Sequence, residues 1–281
     1  MSQGPDYIMA SRQGLYVVNR AGWRRVGDGH FFGVTVKGSG IYCFKTVPNE
    51  EAEAEKNCGS IVRYEYRGGE LIGPDVLVSG LEHNCHQIDF FDGAFFVVDA
   101  RNQRVLEFDA QWRAAKPHQI LPPTNEPGPC YAHINSFLGL GDCIYLMFHN
   151  ASRGLPSEIV EFDRDFRERR RTALPSTGCH DIVRLEDVGL LYCESYKGSI
   201  ARDDGASFKI DELYTRGLAV GDDEIAVGSS SFDVRVRRVL LPGFVTFLDR
   251  GYRRIARLYV PAAPTQIRRL DGADLSLSRP R

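Results

Sequence analysis

His86-Gln-Ile-Asp-Phe-Phe-Asp-Gly93 runs directly into Ala94-Phe-Phe-Val-Val-Asp-Ala100, then Arg104-Val-Leu-Glu-Phe-Asp109, then a polar stretch ending at Gln119-Ile-Leu121. Each apolar burst is short, rich in Phe, Val and Ile, and bounded by turn-forming Asp, Gly or Asn, which is the composition of strands joined by tight turns. Four such strands in about 35 residues, with no helical period between them, make one small antiparallel sheet that needs neighbours to bury its faces.

The same grammar recurs along the chain. It is clear from His133 to Asn150 followed by Ser157 to Asp163, and from His180 to Ser195. It is looser from His30 to Lys45 followed by Ser60 to Tyr66, and from Arg216 to Ser231 followed by Gly243 to Asp249 and Arg253 to Val260. Five complete units result, spaced as the blades of a radial repeat are spaced. The longest interval is accounted for by an acidic surface loop, Glu50 to Lys56.

The remainder of the chain supplies a sixth unit in two pieces. Thr265-Gln-Ile-Arg-Arg-Leu-Asp-Gly272 matches the opening of the His86 unit, whereas Tyr7 to Ser11, Gly14 to Asn19 and Trp23 to Val26 read as second, third and fourth strands with no first strand before them. Pairing the last strand with the first three closes a ring and leaves only short edges exposed. The expected fold is therefore an all-β, six-bladed β-propeller, residues 1–281 forming a single domain with one blade completed by N- and C-terminal strands.

Composition agrees with a packed domain, since 43% of the 281 residues are hydrophobic and 26% charged. A net charge of −2 gives no electrostatic case for nucleic acid or an anionic membrane. The basic run Arg167 to Arg171 reads as a solvated outer strand. Met1 to Ala10 has neither a basic nor an apolar leader region, and the seven cysteines include no Cys-x-x-Cys pair. A cytoplasmic protein with reduced thiols is expected.

Val97-Val-Asp-Ala-Arg-Asn-Gln-Arg-Val-Leu-Glu-Phe-Asp109 resembles an NHL repeat, with its apolar pair, Asp, Asn, Arg-Val and final Phe-Asp. That resemblance implies the six-bladed fold; NHL-type repeats serve enzymes and binding scaffolds alike. It also implies that Asp99 ties the turn that follows it.

Four of the seven histidines open the first strand of a unit: His30, His86, His133 and His180, with Arg216 and Thr265 at the corresponding steps of the other two. The first strand of a propeller blade lines the axis, so residues at one step of successive blades converge. His86 and His180 share a Cys-His-x-Ile context, His133 is offset, and Phe31 fits the repeat as well as His30 does. Neutral imidazoles suit Zn, Cu and Fe. The expected metal ligands are thus His86, His133 and His180, with His30 as a fourth, around one transition metal ion (Fe, Zn or Cu). Hydrogen bonding of each His to a neighbouring blade or a channel water is the structural alternative.

The second strands return to the same face, where their ends place Lys45, Asp99, His149, Glu194 and Ser229. His149 and Glu194 are the candidate proton carriers and Arg216 the anchor for a carboxylate or phosphate. His83 stands on a loop in a direction unlike that of His86, and His118 reads as a surface residue. In architecture the arrangement is similar to peptidyl-hydroxyglycine lyases, six-bladed propellers that hold zinc with histidines from different blades, and to carotenoid oxygenases, whose propeller holds iron with four histidines. The expectation is a metal-dependent lyase, hydrolase or oxygenase acting on a small polar organic substrate. The alternatives are a non-catalytic ligand-binding or protein-docking propeller and a calcium-dependent lactonase-like hydrolase, which needs acid and amide oxygens at the axis. Gly27-Asp-Gly29 lacks the context of a dinucleotide loop, and Ser229 to Ser231 lacks that of a nucleophile elbow.

Overall fold

The computed structural model describes residues 4–47, 57–124, 128–186, 188–232 and 241–279. These form six antiparallel four-stranded sheets. Blade 1 comprises His30–Lys37, Gly40–Thr46, Gly59–Arg67 and Glu70–Leu81; blade 2 comprises Cys85–Phe91, Ala94–Asp99, Arg104–Phe108 and Ala115–Gln119. Blade 3 comprises Ile134–Leu140, Cys143–Phe148, Glu158–Phe162 and Glu168–Ala173, and blade 4 His180–Leu185, Gly189–Glu194, Ser199–Arg202 and Ser207–Lys209. Blade 5 comprises Tyr214–Val220, Ile225–Ser230, Gly243–Leu248 and Arg254–Val260. Blade 6 joins Pro264–Arg269 to Tyr7–Ser11, Gly14–Asn19 and Gly22–Gly27, so the ring closes by pairing the two ends of the chain. The acidic stretch Glu50 to Lys56 lies outside the described residues.

Burial explains why the strands are patterned as they are. Inner strands are buried along nearly their whole length and mix apolar residues with polar ones, whereas the outermost strands, such as Glu168–Ala173 with its arginines, are exposed. The core is divided into six clusters, one at each blade-to-blade interface, among the described residues. The cluster at the closing interface, with Ile8 and Leu15 against Val34 and Ile41, is built like the others. No staple is needed: all seven cysteines are free thiols, and Cys43, Cys85, Cys179 and Cys193 are buried as small apolar side chains.

Polar side chains on the inner strands link each blade to the next. Thr35 Oγ1 donates to Asp89 Oδ1 at 2.7 Å, and Gln87 both accepts from the Phe137 amide and donates to its carbonyl at 2.7 Å. Ser136 Oγ accepts from the Asp181 amide at 2.9 Å, and Asp181 Oδ2 from the Gly217 amide at 2.9 Å. Arg268 donates to the Leu218 carbonyl at 3.3 Å, and Gln266 Oε1 accepts from the Val34 amide at 2.7 Å. The inner strands bulge between Phe31 and Val34, Cys85 and Ile88, Ile134 and Ser136, His180 and Val183, and Thr215 and Leu218, which frees backbone groups there for the side chains to satisfy.

A repeated hairpin sets the outer edges. Asp109, Asp163 and Asp249 each accept from backbone amides two and four residues on, while Trp112, Phe166 and Tyr252 take positive φ. Asp99 accepts from the Asn102 amide and side chain and from Arg104 Nε at 2.7 Å, the turn-tying role that its repeat context implies. His118 differs from expectation: it stacks on Phe166 at 4.1 Å and meets Glu107 at 2.6 Å, joining the edges of blades 2 and 3.

The segment after Arg269 crosses one end of the axis. Leu275 and Leu277 pack into separate interface clusters, Ser278 bonds both Asp89 and the Gly139 amide, and Arg279 exchanges backbone bonds with Gly139 and Gly141. These contacts lie where the inner strands end. The opposite end, where those strands begin, carries the histidines.

Candidate functional site

An axial pocket opens at the face where the inner strands begin. It takes residues from every blade: Phe32; His86 and Gln87; Asn135 and Ser136; His180 and Asp181; Arg216; Thr265 and Gln266. Its empty space is about 230 Å3 with the open solvent at the mouth counted in, and its enclosed part is no more than water-sized.

Above it four imidazoles form a continuous row. Ring centroids are 4.7 Å apart for His86 and His133, 4.8 Å for His133 and His149, and 4.9 Å for His149 and His180. Blade 3 supplies the two middle members from the start of its inner strand and the end of its second. The sequence separates His149 from the ligand ring; the structure seats it inside the row. His30 begins its strand opposite Thr46, and the residue its blade contributes to the pocket is Phe32, stacked on His86 at 5.3 Å.

Hydrogen bonds constrain the tautomers. His86 Nδ1 is 2.6 Å from the Asn84 carbonyl and His180 Nδ1 is 3.2 Å from the Gly178 carbonyl, each two residues upstream. A carbonyl only accepts, so a neutral His86 carries its proton on Nδ1 and a lone pair on Nε2, whereas His180 also meets hydroxyls at Nδ1 and, from Tyr214 at 3.5 Å, at Nε2, and these serve either tautomer. His133 Nε2 lies 2.9 Å from His86 Nε2 and donates to it. His149 Nδ1 faces the Ala151 amide at 3.4 Å, which leaves its proton on Nε2. His180 is further held by Ser195 Oγ at 3.0 Å and Tyr214 OH at 3.2 Å. Burial first, then the charge of Arg216 and the neighbouring imidazoles, holds His180 well below the ordinary histidine value, so it stays neutral.

The backbone here is strained: His133 (φ 54), Asn150 (φ 58) and Asp181 (φ 59) take left-handed conformations that side chains disfavour. The His149 amide donates to the His133 carbonyl at 3.2 Å and the Asn150 amide to the Ala132 carbonyl at 2.9 Å, which holds the His133 turn.

Glu194 is elsewhere. Burial pushes its carboxyl up, but Ser176, Ser207 and Lys197 all donate to it and bring it below its ordinary value. Its contacts fasten the turn Ser195–Lys197, from which Ser195 reaches His180 and Tyr196 faces His149 at 6.2 Å. His83 meets Glu82 at 3.0 Å and Asn84 at 2.8 Å. An aromatic rim escapes sequence reasoning: Tyr131 stacks on His133 at 5.3 Å, and Tyr196, Tyr214 and Phe232 cluster beside His149 and His180. These residues lie in turns and strand ends with no shared spacing, and only the strand-end address of Tyr214, two residues before Arg216, could have pointed to them.

Part of this donor chemistry is that of metal ligands. A ligand histidine characteristically gives its other N–H to a carbonyl, as His86 does and His180 is placed to do, and His133 needs only a change of tautomer to join them. Two nitrogens on one tetrahedral metal, each about 2.0–2.1 Å away, lie about 3.3 Å apart, close to the His86–His133 spacing. Among the described residues, however, no group of three or more His, Cys, Asp or Glu side chains is gathered as a metal cage. No helix is long and apolar enough to cross a membrane among the described residues.

The sequence matches no protein-family model and no curated protein. The fold is similar to solved propellers. A chain from a nidogen/laminin complex superposes with a TM-score of 0.68 at 9% identity, covering 95% of this chain and 98% of the other. A streptogramin B lyase gives 0.52 at 12% identity, covering 95% and 93%. At such identities the likeness defines the six-bladed propeller class and no more.

Proposed function

We propose that this propeller is a metal-dependent enzyme acting on a small polar organic substrate at the histidine-lined mouth, with one transition metal ion (Fe, Zn or Cu) held by His86, His133 and His180. The observation that carries the reading is the anchoring of His86, whose Nδ1 faces a carbonyl at 2.6 Å and whose Nε2 lone pair is thereby set in advance, with His180 Nδ1 near a carbonyl at 3.2 Å in the same way. Bound there, such a metal supplies Lewis-acid activation of a carbonyl, of water or of dioxygen.

The chain's own groups divide the remaining work. Arg216, on the pocket wall, orients an anionic group through its two-pronged guanidinium. His149, with its proton on Nε2, donates to a leaving group and recovers the proton afterwards. Glu194 is a positioning residue that keeps Ser195 against His180.

Metal content by mass spectrometry, on protein purified without a metal-binding tag, tests this. About one Fe, Zn or Cu per chain, lost in the His86→Ala, His180→Ala double variant with the fold intact, is the expected result. A wild type that is metal-free and takes up none of the three overturns it.

A second reading is a metal-free ligand-binding propeller. The His133–His86 hydrogen bond favours it, because that bond satisfies both nitrogens without a metal. The asymmetry of the row, an acceptor nitrogen on His86 and a proton on His149, weighs toward the first.

A further inference from the structure

We infer that the substrate of this site carries a planar aromatic ring together with a carboxylate, the ring seated on Tyr196 and Phe232 and the carboxylate on Arg216. The inference rests on the functional reading above only for the location of the site, not for the metal.

Tyr196 and Phe232 are 47% and 58% exposed, although each carries a large apolar ring. They are not scattered. Their centroids lie 5.1 Å apart at 77°, and both stand 5.4 Å from the buried ring of Tyr214. Tyr214 in turn touches His180, and Tyr196 faces His149. The exposed pair therefore continues the imidazole row outward as one aromatic surface, which favours offset or edge-on contact with another ring.

The rim is a built feature. Gly178 has a φ of 74, and a Cβ there would collide with the Tyr196 ring. The same glycine presents the carbonyl that anchors His180. One small residue thus lets Tyr196 lie against the loop and sets a carbonyl beside the neighbouring imidazole.

The anion follows from Arg216. It enters the pocket from the same blade as Tyr214, two residues further along the same strand, and its charge is felt by His180. The enclosed part of the pocket is no more than water-sized, so the ring stays at the rim and the carboxylate meets Arg216 from the open mouth.

The test uses 3-phenylpropanoate, its cyclohexyl analogue and its neutral amide as probes, by calorimetry on the full chain after chelation and again with zinc added. The expected outcome is binding of 3-phenylpropanoate in both states, about tenfold more tightly than the cyclohexyl analogue. Tyr196→Ala and Phe232→Ala each lose that preference, Tyr196→Phe keeps it, and Arg216→Met abolishes the preference for acid over amide, all with unchanged melting temperature. Equal binding of ring and cyclohexyl probes, indifference to Tyr196→Ala, or no binding at millimolar concentration overturns the inference. Binding of the aromatic acid by protein that takes up no metal leaves it standing while the metal reading fails.

Discussion

The Nε2 atoms of His86 and His133 face each other at 2.9 Å, although the residues are 47 positions apart and belong to different blades. Because His86 Nδ1 is committed to the Asn84 carbonyl, the pair has one proton between its facing nitrogens, donated by His133. His86→Ala removes the acceptor and leaves a partly buried donor behind. The expected cost is about 1–3 kcal/mol of stability, read by chemical denaturation. Loss of metal uptake should accompany it, whereas His30→Ala, at a strand start away from the row, should leave uptake unchanged.

Gly178→Ala probes the loop that shapes the site. The residue has positive φ, and an added methyl meets Tyr196. Strain of about 1–2 kcal/mol is expected from the backbone alone. Displacement of Tyr196 and of the carbonyl under His180 should weaken ligand binding beyond that, measured by calorimetry. Gly205→Ala, at a surface turn with open space around it, controls for backbone strain without a site effect.

Ring closure rests on the joined blade and on the side-chain bonds that flank it. Gln266→Ala leaves the buried Val34 amide without its acceptor at the interface between blades 6 and 1. A loss of about 1–3 kcal/mol is expected, read by denaturant titration. Hydrogen exchange should show the strands Tyr7–Ser11 and His30–Lys37 loosening first.

Glu194 gives the acid limb of the stability profile a defined sign. Burial alone would raise its carboxyl; the bonds from Ser176, Ser207 and Lys197 bring it below the ordinary 4.5. The unfolded chain therefore binds more protons than the folded one as pH falls, so the stabilisation is full above about 4.5 and is lost as pH drops through the lower folded value. Glu194→Gln should lower stability at neutral pH and flatten the profile in that window, measured by melting temperature against pH.

Much of the fold was legible because strand periodicity, turn residues and the orphaned second-to-fourth strands at the head of the chain are local signals. Thr265 to Gly272 could be paired with Tyr7 to Ser11 because both carry the repeat. The row was partly legible: His86 and His180 share a local context that places them at the axis. His149 was placed only at the rim, because its seat in the row depends on the turn that brings His133 back onto the same strand pair. Phe32 rather than His30 reaches the pocket because the bulge falls between Phe31 and Val34 in blade 1 as it falls between Cys85 and Ile88 in blade 2, which puts Phe32 at the step of His86, and no residue type announces where a bulge falls. The inter-blade bonds of Gln87, Ser136 and Asp181 were likewise invisible, since they satisfy backbone groups of another blade.

The most direct measurement is a long-range proton–nitrogen correlation spectrum of the histidine rings, recorded before and after one equivalent of zinc. The account predicts Nδ1–H tautomers for His86 and His180 and an Nε2–H tautomer for His149, with zinc moving the Nε2 resonances of His86, His133 and His180 and leaving the His149 tautomer in place. Nε2–H tautomers at His86 and His180, or a spectrum that zinc does not alter, would contradict it.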